Sequence, residues 1–185
     1  MTATTDPADN PLDRTVSLAK ANGIVILFAI PLAVVMYSLF LIASPHSEPI
    51  AWQPGDLVLY VGSIVAGTLL HELLHALGWV LFGGLPLSRI HFGFKLRTLT
   101  PYAHLKGPIA ARPYRIGILL PLLVLGLPPY LIGLLLANQR VMVFGLFFTL
   151  AAGGDLLVLW LLRGVPGNAR VEDHPTRAGC WVYRS

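Results

Sequence analysis

Apolar residues in this chain gather into long unbroken runs rather than the short periodic stretches of a water-soluble fold. Four runs, approximately 21–43, 57–82, 115–137 and 141–163, are long enough to cross hydrocarbon, because about 20 helical residues span about 30 Å. The first run has the length of a full span, whereas a cleaved leader carries only about 7 to 15 apolar residues, so it is read as a retained helix. Gly83, Gly84 and Pro86 close the second helix. Between Ile90 and Leu99 the pattern changes to alternation with period two, which predicts a half-buried strand. A return through Thr100 and Pro101 to Tyr102–Leu105 makes it a hairpin. Pro121, Pro128 and Pro129 predict that the third span is kinked or broken, since each removes a backbone donor.

Charge orients these elements. Only 12% of residues are charged, and twelve of the thirteen Lys and Arg lie in the leader, in the segment between the second and third runs, or in the tail; Arg140 alone lies on the other side. Basic residues are retained on the cytoplasmic side, so both termini are expected there in a cell membrane. The predicted fold is all-α: a bundle of four transmembrane helices over 21–163 with a small cytoplasmic-side β-hairpin between the second and third. It is flanked by a polar segment, 1–20, disordered or lying at the surface, and by a cytoplasmic tail, 164–185. Trp52 and Tyr60 mark the outer boundary in this reading, and Trp79 and Trp160 the inner one. The net charge of +4 fits attraction to the anionic headgroups of the bilayer and predicts no nucleic-acid partner. Cys180 is the single cysteine, which excludes an intramolecular disulfide and a cysteine zinc cluster and leaves a small packing residue.

The candidate chemistry lies in the second run. His71 and His75 stand four apart, so a helix presents both imidazoles on one face, one turn apart, to one metal ion. Glu72 lies beside them, within reach of a water rather than of the metal. With six histidines and three glutamates in the chain, composition alone would produce this pattern in about one such sequence in three hundred. An ionised carboxylate inside an apolar helix costs on the order of 3 kcal/mol, which makes Glu72 and Asp155, the acids within the runs, candidates for function.

His71 and Asp155 each lie about 14 residues into runs that travel in the same direction, a matched depth of roughly 21 Å. Asp155 is therefore the expected third ligand, with Gly153 and Gly154 allowing close helix approach. A polar contact between helices, or a hydrogen bond to a ligating histidine, is the other role for Asp155. His104 is the alternative third ligand or a proton donor to substrate. His91, His46 and His174 are read as ordinary surface or turn histidines. Zinc is the expected ion, although imidazole and carboxylate also accept other divalent metals.

These residues resemble the bacterial putative zincin peptidases and, more distantly, the site-2 class of intramembrane metalloproteases. The resemblance spans approximately 57–183 and rests on Thr68–Gly78, on Tyr102-Ala103-His104 with Lys106-Gly107-Pro108, on Gly153-Gly154-Asp155, and on Asp173-His174-Pro175 with Gly179. The site-2 class takes its third ligand from an aspartate in a later span, which the resemblance carries onto Asp155. That class places Asn-Pro before the aspartate and Gly after it, where this chain has Gly153-Gly154 and Leu156. Together these readings predict a zinc metalloprotease acting on a membrane protein or peptide near the cytoplasmic leaflet, with Glu72 catalytic. The rival expectation is a non-catalytic metal-binding protein with a regulatory or ion-handling role in the membrane. No feature of the sequence predicts an oligomeric state.

Overall fold

The computed structural model describes residues 11–47, 50–51, 53–95 and 100–183. Trp52, Arg97 and Arg184, which entered the reading of boundaries and charge, lie outside the described residues, as do the first half of the leader and the tip of the predicted hairpin. Four apolar helical stretches are long enough to cross a membrane: Leu18–Ala43, Pro54–Gly83, Ala111–Leu135 and Gln139–Leu161. They match the four hydrophobic runs to within a few residues and fit a multi-pass membrane protein.

Local chemistry sets the ends of the first two. Helix α1, Leu18–Ala43, starts behind Ser17, whose hydroxyl accepts the Lys20 N–H. Helix α2, Pro54–Gly83, begins on a proline that needs no donor and stops at Gly84, whose φ of 62° is the left-handed conformation of a helix C-cap.

The third span has the interruption its prolines predict. It runs as α3, Ala111–Pro121, then a π-helical turn, Leu122–Gly126, then α4, Leu127–Leu135. Pro128 and Pro129 offer no N–H to the carbonyls one turn back, so α-helical pairing cannot continue through them. The fourth span is α5, Gln139–Ala151, and α6, Gly153–Leu161, joined by a turn at Ala152. Large apolar side chains such as Ile26, Phe28, Leu59 and Leu135 are exposed on these helices, as a lipid-facing surface requires.

Strands β2, Ile90–Lys95, and β3, Thr100–Leu105, form the predicted antiparallel hairpin, with His91 opposite His104 and Phe92 opposite Ala103. A second sheet was not expected. It has the order β1-β6-β5-β4, built from β1, Leu12–Val16, β4, Ile109–Ala110, β5, Arg170–Asp173, and β6, Ala178–Tyr183. Part of the leader, read as disordered or lying at the surface, is therefore a strand, and the tail supplies two more. The start of α3 and the end of α6 meet this sheet. A buried cluster that includes Trp79, Tyr114, Leu162, Val171, Cys180 and Val182 joins it to the helices. Cys180 is fully buried there, in the packing role expected of it. Gly179, at φ 116°, lies so close to Arg14 and Thr15 of β1 that a side chain would meet their backbone.

Candidate metal centre

Helix α2 brings His71 and His75 to one face, and both are buried. Asp155, in the first turn of α6, faces them from the fourth span. The two depths agree, since His71 comes 17 residues after Pro54 (71 − 54) and Asp155 comes 16 after Gln139 (155 − 139). The Nε2 of His71 lies 3.2 Å from Asp155 Oδ2, and the Nε2 of His75 lies 3.4 Å from Oδ1. Ligand atoms of the three residues all lie within 4.8 Å of one another, and no other such group of His, Cys, Asp and Glu occurs among the described residues.

This donor set fits a metal ion on two observations. His75 Nδ1 is 3.0 Å from the carbonyl of Gly117. That oxygen only accepts, so Nδ1 carries the proton and, in the neutral ring, Nε2 turns its lone pair toward a carboxylate. Two acceptors facing one another need a proton or a metal ion between them, and a metal ion can serve both histidines at once. Asp155 Oδ2, in addition, is buried and faces the Nε2 of His71 at 3.2 Å, the same pairing of ring nitrogen and carboxylate oxygen. Two imidazoles and one carboxylate are also a donor set that leaves a fourth position open on zinc.

Helix α3 forms the wall behind the histidines. A side chain at Gly78 would lie 2.5 Å from Gly117 Cα, and one at Gly117 would fall on the Trp79 ring, so α2 and α3 touch through backbone. Trp79 stacks on His75 at 5.8 Å and on Tyr114 at 5.9 Å, and its indole N–H donates to the Tyr114 carbonyl at 3.3 Å. Trp79, read as lying near the inner boundary, is a buried wall of the site, because helix α3 covers the face from which it projects. Trp160 is exposed, under the guanidinium of Arg163 at 3.7 Å.

The glycines before Asp155 act differently from expectation. Gly153 approaches Val25 of α1, and Gly154 faces open space. Residues 153 and 155 are about 200° apart around a helix, so the close approach is to α1 and the carboxylate points the other way, to α2.

Glu72 is half-buried, and its Oε2 accepts the Ala103 N–H of β3 at 2.6 Å. Eleven residues separate Glu72 from Gly83 (83 − 72), so the hairpin returns about 16 Å along α2 to reach it. His104 stands apart from the three-residue group, with Nδ1 3.7 Å from Asp173 Oδ2. His46 and His91 are exposed, and His174 accepts the N–H groups of Thr176 and Arg177 in a turn. Gly117, Tyr114 and Asp173 escaped the sequence reading. Asp173 had appeared only as the first member of a short motif in the tail, and the other two carry no pattern that separates them from ordinary helix residues.

No curated protein and no solved structure matches the chain. One family model matches residues 64–170, more than half of the chain. That stretch contains the two histidines one turn apart, the glutamate that the hairpin engages, and the aspartate that α6 delivers to them. The chain belongs to the family described as putative zincin peptidase.

Proposed function

We propose that this protein is an intramembrane zinc metalloprotease, with His71, His75 and Asp155 as metal ligands and Glu72 as general acid–base. The observation that carries this reading is the convergence of both Nε2 atoms on the Asp155 carboxylate beside Glu72, inside apolar helices. Zinc held there supplies Lewis acidity, polarising a carbonyl and lowering the pKa of water toward about 7. Glu72 keeps Oε2 on Ala103 and uses its other oxygen to take the proton of the attacking water. It then returns that proton to the leaving amine. Gly117 fixes the tautomer of His75, and Trp79 fixes its ring plane.

The substrate is a membrane protein or peptide, which must be extended to expose its scissile carbonyl. An edge of the hairpin Ile90–Leu105 offers main-chain hydrogen bonds to such a strand. The asymmetry of Lys and Arg supports a cell-membrane protein with both termini and the hairpin on the cytoplasmic side, and hence cleavage near that leaflet.

The test compares purified wild type with Glu72→Gln on candidate membrane substrates, alongside metal analysis. The proposal expects one zinc per chain in both and loss of cleavage in the variant. Equal cleavage by the two would sink the mechanism. Zinc without turnover in wild type would favour a metal-binding regulatory or ion-handling protein.

A further inference from the structure

Asp173 lies beyond the matched family segment, in a strand formed by the tail, yet its carboxylate reaches the edge of the candidate site. Tyr114 donates its hydroxyl to Oδ1, and Leu105 donates its N–H to Oδ2 at 3.3 Å. His104 Nδ1 is 3.7 Å from the same Oδ2. A carboxylate placed beside the buried Val171 and Cys180 must be compensated by such partners. Each of these partners is attached to the site.

Leu105 follows Ala103 by two positions on β3. In an extended strand alternate N–H groups point to the same edge, and the other edge of β3 is paired with β2. Glu72 and Asp173 therefore take successive donors of one strand edge, Ala103 N–H and Leu105 N–H. One grip would leave the strand free to pivot. Two grips, from carboxylates on α2 and β5, set its position and register against α2.

The second oxygen of Asp173 acts on the other half of the site. The Tyr114 hydroxyl it holds ends a ring stack that runs through Trp79 to His75, with planes 4° and 13° from parallel.

We propose that Asp173 is a positioning residue, holding Leu105 and Tyr114 so that β3 presents the Ala103 N–H to Glu72 and the ring stack stays seated on His75. What Glu72 does once positioned rests on the protease reading; the positioning does not.

The test uses the full chain in detergent micelles with zinc, followed by hydrogen–deuterium exchange and by hydrolysis of β-casein as an unstructured probe. Asp173→Ala is expected to speed exchange in 100–105 by about tenfold, the loss of one hydrogen bond. Zinc stoichiometry and exchange in 139–161 are expected to stay at wild-type values. Glu72→Gln, which weakens the other grip, speeds exchange in the same segment. Asp173→Asn, with one acceptor oxygen left, recovers part of the protection and part of the activity. With β-casein, Asp173→Ala is expected to lower kcat on the order of 100-fold with KM little changed, as for a displaced acid–base group. Wild-type protection of 100–105 in Asp173→Ala overturns the proposal. Loss of protection spread evenly through the chain also overturns it, since that describes a general stability role. If wild type leaves β-casein intact while the exchange pattern appears as expected, the positioning stands and the protease reading loses support.

Discussion

His75 and Gly117 meet at 3.0 Å, ring nitrogen to backbone carbonyl, at the point where α2 and α3 pack backbone against backbone. Gly78 supplies the matching surface on α2, and Trp79 fills the space above Gly117. The hydrogen bond that directs His75 Nε2 toward Asp155 thus depends on two missing side chains. This link between helix packing and ligand chemistry makes α3 part of the candidate site although it contributes no ligand.

Gly117→Ala is expected to displace the Trp79 ring and separate the two helices, moving the carbonyl away from His75. Zinc affinity should fall roughly 10- to 100-fold, as for other losses of a partner to a ligating histidine. Stability should fall by about 1–3 kcal/mol from overpacking. Competition with a chromophoric chelator and thermal melting measure the two effects. Gly62→Ala is the control, because a side chain at Gly62 meets nothing within 4 Å. Unchanged affinity in Gly117→Ala would separate the packing from the metal centre.

Metal removal has an equally direct consequence. Two imidazole nitrogens and a carboxylate crowd together at His71, His75 and Asp155, and a cation that binds only the folded state stabilises it by mass action. Free zinc at about 1,000 times its Kd should contribute about 4 kcal/mol. Chelation is expected to lower the melting temperature, and added zinc to restore it. His71→Ala, His75→Ala and Asp155→Ala should each remove most of this response, while His104→Ala should keep it. A full zinc response in Asp155→Ala would exclude that carboxylate from the metal.

The parts of this arrangement visible in the sequence are those governed by regular geometry. Helix periodicity places His71 beside His75, and span length with chain direction places Asp155 at their level. The less regular parts were hidden for identifiable reasons. Strands β1 and β6 pair Leu12 with Val182 and Val16 with Ala178, and five residues at one end of a chain carry no signal of a partner at the other. Trp79 has the composition of a boundary anchor, and only the packing of α3 over it shows its burial beside His75. Gly153 faces α1 because two residues turn a helix surface nearly to its opposite side. Asp173 sits in a polar tail whose burial depends on a sheet that hydropathy does not reveal.

Cys180 provides a probe of that sheet. Its thiol is buried against the Tyr114 hydroxyl at 3.0 Å, and burial pushes its pKa well above the ordinary thiol range. The reactive species is the thiolate, so native protein at neutral pH should react with a thiol reagent at least about 100-fold more slowly than unfolded protein. Gly179→Ala, which places a side chain against Arg14 and Thr15 at a positive φ, should loosen β1 from β6 and speed the reaction. Colorimetric thiol titration reads both. Rapid labelling of the wild type would show that the tail is not packed on the helices.

Asp173 also predicts a slope in stability against pH. Burial raises its pKa from the ordinary carboxylate range, and this outweighs the hydrogen bonds from Tyr114 and Leu105, which act in the opposite direction. In the window between the unfolded and the raised folded value, the folded chain holds the proton more tightly than the unfolded chain. Stability attributable to this group is therefore complete below the unfolded value, falls as pH rises through the window, and is lost above the folded value. Asp173→Asn cannot titrate, so it should lack this slope, although loss of one acceptor shifts its curve by a constant amount. Melting temperatures of both proteins between about pH 4 and pH 7 give the comparison. Wild type is expected to lose stability relative to the variant as pH increases. Parallel curves would mean that Asp173 has the same proton affinity folded and unfolded, and that its carboxylate is solvated rather than held between α3 and β3.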